Sequence, residues 1–413
     1  MDIPSSLARD ISPPPRAKRR RGSCIPTSQA SLEPADTIEP TLAAIEAGRA
    51  KIEDHLTYFR KHLQAAARLT SPGIPRLSIS DFSSLYQSNQ HEHGNHFVIH
   101  QHNHPKAGVH YDLRIQFSDA SSISFAIPKG LPGDPNSKSI GRLAIETRVH
   151  CLWNHLIESA SNKTGSLLIW DTGTYEVLPR KSNSTITPSP HTTDEDEDEE
   201  EGDTSRLDSA SERQSHENEK LIFAFQTRYI RLRLYGTRLP KGYTIVLRLP
   251  SNELLRRPTA RRKKSHQTAR SRAQSQSSGR YLLDSDSDTT PTAPNNTQET
   301  HQQEEEDLNT DSEEDTQTRA NNAYPGSTNS VGSIHQRHWF LQLDRQNSGF
   351  VLTPQSGKRK WVRGPSDGGF ESFLVRGRDF ERSVVTGRLA AEVESDEGVE
   401  GYVGRGGWVG VER

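Results

Sequence analysis

Seven of the chain's 17 histidines fall within residues 91–110: His91, His93, His96, His100, His102, His104 and His110. In an extended strand, residues two apart project from the same face. On that spacing His100, His102 and His104 form one row, and His110, Asp112 and Arg114 form a second. A turn over 105–108 brings the two rows together. Two imidazoles and a carboxylate converging from such a hairpin make a donor set for Mn²⁺ or Zn²⁺. Arg114 beside them is a bidentate clamp for a phosphate. A His-rich tract alone often binds metal adventitiously or is merely solvated surface. The arginine two places after the acid favours the metal site, because a phosphate reader and a metal triad share a purpose.

The rest of the chain bounds what can position such a site. Only 31% of the 413 residues are hydrophobic, and the mean hydropathy is −0.83, too polar for the whole length to pack. The net charge of −2 is a balance of opposing blocks rather than an even mixture. Cys24 and Cys151 lie far apart with no C-x-x-C pattern, which argues against a disulfide framework and against cysteine-ligated zinc. No apolar run approaches the ~18 residues of a membrane span, and the amino terminus lacks a secretory h-region, so the sequence predicts a soluble intracellular protein. A basic cluster at 18–21, set among Pro and Ser, has the form of a nuclear import signal; a solvated patch is the plain alternative. The expected location is therefore the nucleus, and otherwise the cytoplasm.

Composition divides the chain into six stretches. Residues 1–40 are a Pro-rich, partly basic tail that should not pack. Residues 41–181 hold the first part of the folded domain, 182–219 an acidic disordered insert, 220–250 its remaining strands, 251–332 a disordered charged linker and 333–413 carboxy-terminal β segments. The insert contains eight consecutive acids at 194–201, and the linker opens on a basic stretch at 256–264 that would add salt-sensitive DNA affinity. Within the first part, Ile45, Ile52, Leu56, Phe59 and Leu63 share one face of a helix predicted over 41–69. Strand character follows at 96–100, 111–117, 123–127, 142–146 and 166–170, then at 221–225, 230–235 and 243–249. Further strands are predicted at 338–344, 350–353 and 373–376 and in the Gly-rich tail with Tyr402 and Trp408; whether they join the first sheet is open. The predicted fold is mainly β: a small antiparallel β-barrel with a flanking amino-terminal helix, interrupted by long disordered linkers.

The motifs Phe97-Val98-Ile99-His100-Gln101-His102, His110-Tyr111-Asp112-Leu113-Arg114 and Phe125-Ala126-Ile127-Pro128-Lys129-Gly130 follow one another in order. Arg142-Leu143-Ala144-Ile145-Glu146, His150 and Leu168-Ile169-Trp170-Asp171-Thr172-Gly173-Thr174 continue the series. Together they resemble the 3'-phosphoesterase domain family of bacterial DNA ligase D, closely over 97–180 and more loosely over 230–247. The resemblance implies a small β-barrel that removes a 3'-terminal ribonucleoside and then a 3'-phosphate from DNA ends, with manganese preferred. It implies metal ligation by His102, His110 and Asp112. Arg114 and His150 would hold the scissile phosphate, and Arg142 and Lys129 match further polar positions. The segment before His110 is two residues longer than the family's, which makes His104 the alternative to His102. Thr147-Arg148-Val149 replaces an acid-rich segment, Asn154 stands where a tyrosine is expected, and 161–165 replaces a longer Gly-rich loop. These departures imply weaker activity, or only one of the two steps.

The function expected from sequence is a stand-alone, metal-dependent hydrolase that processes DNA 3' ends in repair. It would act as a monomer, away from membranes, with repair proteins recruited through the acidic stretches. A silent nucleic-acid-binding or scaffolding module on the same fold is the main alternative, but mere binding needs basic residues and no metal carboxylate. A cupin-like small-molecule metalloenzyme shares the His-rich barrel and leaves Arg114 and Pro128-Lys129-Gly130 unexplained.

Overall fold

Side-chain alternation along β1 (His96–His104) organises the domain. Phe97 and Ile99 enter an apolar interior, while Val98, His100 and His102 point the opposite way. The computed structural model describes Leu42, Ile45 and residues 50–180, 215–250, 322–355, 358–365 and 368–411, all within the unit Thr41–Arg413. The basic clusters at 18–21 and 256–264 and the acidic run at 194–201 lie outside the described residues.

Strands β2 (Gly108–Gln116), β3 (Ser121–Ile127) and β4 (Gly141–Glu146) continue the sheet from β1. Next come β10 (His338–Leu343), β9 (Thr244–Arg248), β8 (Tyr229–Gly236) and β7 (Gly165–Val177), and β7 pairs back onto β1. The result is a closed, antiparallel, eight-stranded barrel, with β5 (His150–Cys151) added to β3 and β6 (Ser159–Ser161) added to β7. Eight strands leave an interior just wide enough for side chains to fill. Tyr111, Leu113, Phe125, Trp170, Leu232, Ile245 and Trp339 are among those that fill it. A second apolar layer covers part of the outside. There Val98, Leu167 and Ile169 pack with Phe59 and Leu63 of α1 (His55–Ala66), Phe82 of α2 (Ile79–Gln87), and Leu152 and Val384.

Several elements differ from the sequence expectation. The single helix predicted over 41–69 is interrupted at 50–54, because Asp54 caps a new helix by accepting the Thr57 amide at 3.0 Å. Helix α2 was not predicted, although Ser78 accepting from the Asp81 amide is a cap three residues before the acid. The strand expected at 221–225 is helix α3 (Glu217–Gln226), whose buried Leu221, Ala224 and Phe225 follow the helical spacing. The strand at 338–344 is β10, which joins the barrel between β4 and β9. Its neighbour at 350–353 is β11 (Phe350–Gln355), which pairs with β12 (Lys358–Arg363) in a separate ribbon. No strand forms at 373–376 or around Tyr402 and Trp408; instead, 390–396 is the short helix α4 (Ala390–Asp396).

Three buried carboxylates fasten later segments to the barrel. Glu146 on β4 accepts from the Ser333 hydroxyl, the Ile334 amide, the Arg337 guanidinium and the Trp339 indole N–H. Glu158 accepts from the Ile169 amide, the Ser383 and Thr386 hydroxyls and Arg388. Asp171 accepts the amides of Thr237, Arg238 and Leu239 at 2.8 Å, and a Cβ at Gly236 would collide with its carboxylate. Removing one partner of such a network strands the others in the interior. Glu146→Ala is therefore expected to cost about 3 kcal/mol or more in denaturant unfolding; a loss below about 1 kcal/mol would show that β10 is held by its ladder alone.

Candidate metal centre

One hairpin assembles the site. In the β1–β2 register Val98 lies opposite Arg114, His100 opposite Asp112, and His102 opposite His110. The turn between the strands closes on Gly108, whose φ of 80° favours glycine. The row His102, His110, Asp112, Arg114 thus projects from the outer face of the barrel, and the last three are buried by their surroundings. His102, His110 and Asp112 each offer a ligand atom within 4.8 Å of the others.

Backbone carbonyls set which nitrogen each imidazole presents. His110 Nδ1 lies 3.0 Å from the Gly108 carbonyl, so it carries the proton and donates it. His110 Nε2 is left facing Asp112 Oδ1 at 3.3 Å. His102 Nε2 lies 2.9 Å from the Thr164 carbonyl, leaving Nδ1 at 3.4 Å from Asp112 Oδ2. Burial pushes His110 down to about 4, so its ring is neutral at pH 7 and its Nε2 lone pair points at a carboxylate. Burial works to raise Asp112, yet His110, His102 and Arg114 outweigh it and hold this carboxyl well below the usual range. An ionised carboxylate facing imidazole lone pairs is electrostatically incomplete, and a cation between them completes it. The donor set fits a divalent ion, and the carbonyls behind the rings are the outer partners such ligands ordinarily have.

Arg114 donates to the Asn154 carbonyl at 3.3 Å and lies 3.6 Å from Asp112 Oδ2. His150, on β5, donates its Nδ1 proton to the Arg148 carbonyl at 2.8 Å, which leaves Nε2 unprotonated in the neutral ring. Burial, then the charge on Arg114, drives His150 well below the ordinary histidine range. The Tyr324 ring packs 4.7 Å from the His150 ring, so an aromatic meets this histidine although Asn154 replaces the expected tyrosine. His100 is fully buried with Nε2 3.2 Å from the Ile157 carbonyl. His104 stays beside the triad, its ring 5.5 Å from that of His102 and 6.5 Å from that of His110, but its Nδ1 accepts the Lys106 and Ala107 amides at 3.2 and 3.0 Å.

Lys129 and Arg142 are not brought to this cluster. Arg142 lies opposite Leu341 and has the parity of Ala144, so it points to the interior side of the barrel wall. With Lys129 it lines a small cavity bounded by Leu131, Asp134 and Phe373. The Thr164, Gly108 and Asn154 carbonyls, which orient three functional side chains, leave no mark in a sequence.

Residues 100–247 match the DNA Ligase D 3'-phosphoesterase domain family. That span holds His102, His110, Asp112, Arg114 and His150, whereas β10, which closes the barrel, comes from outside it. The multifunctional non-homologous end joining protein LigD of Mycobacterium bovis is 38% identical over 87 residues, and so is the multifunctional non-homologous end joining DNA repair protein LigD of Mycobacterium tuberculosis. Each alignment covers 20% of this chain and 11% of the relative, so the chain spans about a tenth of these relatives.

Two outcomes follow from the assignment of donors. In titration calorimetry, His102→Ala should lose Mn²⁺ binding while His104→Ala keeps it; the reverse pattern would move the ligand role to His104. Metal-free protein should also lose stability in acid. His96 and His110 are held at about 3 and about 4 by burial. Both folded values lie below the unfolded value of about 6.5, so their contribution is present above that pH and is lost as pH falls toward 4. Melting temperatures should be flat above pH 7 and decline from about 6.5 downward; a decline confined to below pH 4 would mean these histidines are not buried neutral.

Proposed function

We propose that the chain is a metal-dependent phosphoesterase that processes DNA 3' ends, removing a 3'-terminal ribonucleoside, a 3'-phosphate or both. The observation that carries this reading is the convergence of His102 Nδ1, His110 Nε2 and the Asp112 carboxylate beside Arg114. The family match over 100–247 supports a hydrolase acting on DNA ends. His102, His110 and Asp112 would hold a divalent ion, Mn²⁺ in this proposal, which when bound would polarise a phosphoryl oxygen and make a bound water more acidic.

The protein's own groups do the rest. Arg114, its guanidinium steadied by the Asn154 carbonyl and Asp112, neutralises charge growing on the equatorial oxygens of the transferred phosphate. His150 has its Nδ1 proton committed to Arg148, so Nε2 is the atom that takes up or returns a proton as the ester bond breaks. In the same proposal Lys129 and Arg142 have no contact with the reacting phosphate. The basic cluster at 18–21 supports a nuclear location, and the acidic run at 194–201 supports contact with other repair proteins.

The test is release of phosphate and of ribonucleoside from a labelled primer-template, with and without Mn²⁺. Asp112→Ala and His110→Ala should each lower the metal-dependent rate by more than about 100-fold with an unchanged circular dichroism spectrum, since outer partners of metal ligands alone are worth 10- to 100-fold. Wild-type rates in both variants would overturn the site. No trimming by folded, metal-loaded wild type would leave a nucleic-acid-binding module.

A further inference from the structure

The β11–β12 ribbon lies outside the family match and has no part in the site described above. Its sequence is one-signed: residues 345–365 contain Arg345, Lys358, Arg359, Lys360 and Arg363 and no acid. Lys358, Arg359, Lys360 and Arg363 are all exposed, and none forms an ion pair with a described acid. A solvated strand ordinarily mixes both signs, so this excess needs a counter-charge from elsewhere.

The ribbon is also anchored. Phe350 is buried, and Asn136 exchanges two hydrogen bonds with the Trp361 backbone, at 2.8 and 2.9 Å. The Trp361 ring packs against the core with the Arg345 guanidinium 5.3 Å above it. Alternation puts Lys358 and Lys360 on the face of Val351 and Thr353, and Arg359 and Arg363 on the other. Six-residue strands are about 20 Å long, and a two-stranded ribbon is an element that the major groove of a duplex admits. Proteins that hold single strands offer exposed aromatic rings for base stacking; here the aromatic ring is turned to the core and the exposed groups are cations and aliphatics. That chemistry suits a duplex backbone.

We infer that the β11–β12 ribbon is a second DNA contact, one that holds the backbone of the duplex. In naming the substrate it rests on the proposed function, but binding is separable from turnover. The test uses the full chain with Lys358→Glu and Lys360→Glu combined, which lie on the face away from Phe350 and Trp361, also in an Asp112→Ala background. Fluorescence anisotropy on a duplex of about 20 base pairs should show affinity weakened about tenfold or more, and the salt dependence of log Kd reduced by about 2, near 0.9 for each lost phosphate contact. Hydrolysis of a 3'-phosphomononucleoside, too small to reach the ribbon, should be unchanged. The milder Lys358→Gln/Lys360→Gln pair gives the same direction should the glutamate variant not fold.

Unchanged affinity and salt slope in folded variants would overturn the inference. So would an equal loss on a single-stranded oligonucleotide or on poly-glutamate, which would assign the ribbon to another polyanion. Duplex binding through the ribbon without any 3'-end hydrolysis would sink the proposed function and leave this inference standing.

Discussion

The pairing of His102 with His110 and of His100 with Asp112 across one antiparallel hairpin is the constraint on which the site depends. Because side chains alternate with a period of two, a slip of one residue would send the donors into the apolar interior and the core residues Tyr111 and Leu113 to the outside. The register is fixed from both sides. The β1–β2 turn closes at Gly108, and Phe97, Ile99, Tyr111 and Leu113 are committed to the barrel core.

Register places the donors; the backbone around them chooses their chemistry. Thr164 lies on the approach to β7, Gly108 at the start of β2, and Asn154 in the turn after β5. Each carbonyl takes a hydrogen bond that would otherwise leave a side chain free to rotate or a ring free to change tautomer. Burial then keeps His110 neutral at pH 7, and at lower pH the protonating imidazoles, with the Arg114 guanidinium, outweigh burial and keep Asp112 ionised. Those surroundings bring a carboxylate and two imidazoles together at one point, which is a donor set for a cation. The second apolar layer of α1, α2 and 384–385 lies over the neighbouring outer wall and buries Val98, Leu167 and Ile169 from outside.

Much of this was legible in the sequence. The row from His110 to Arg114 is polar at every second position with Tyr111 and Leu113 between, which is the pattern of a wall with two different faces; the facing stretch 100–104 is polar throughout, and only the histidine spacing marks its outer row. The Leu-Ile-Phe-Ala-Phe run at 221–225 was misread because a continuous apolar run carries no period, and its helical spacing emerges only from which members are buried. The insertion of β10 between β4 and β9 is a closure requirement of the barrel, invisible at a distance of almost 200 residues. Arg142 illustrates the limit of arguing from residue type: a cation on a neighbouring strand still has to have the right parity, and its partner Leu341 places it on the inner side. Asn154 and Thr164 act through main-chain oxygens that any residue supplies.

The most direct test of the central claim is anomalous diffraction at the manganese edge from crystals grown with Mn²⁺. The account predicts one strong peak bounded by His102 Nδ1, His110 Nε2 and the Asp112 carboxylate, and its loss in Asp112→Ala crystals. A peak on His104, or none between these three side chains in fully metal-exchanged crystals, would contradict it.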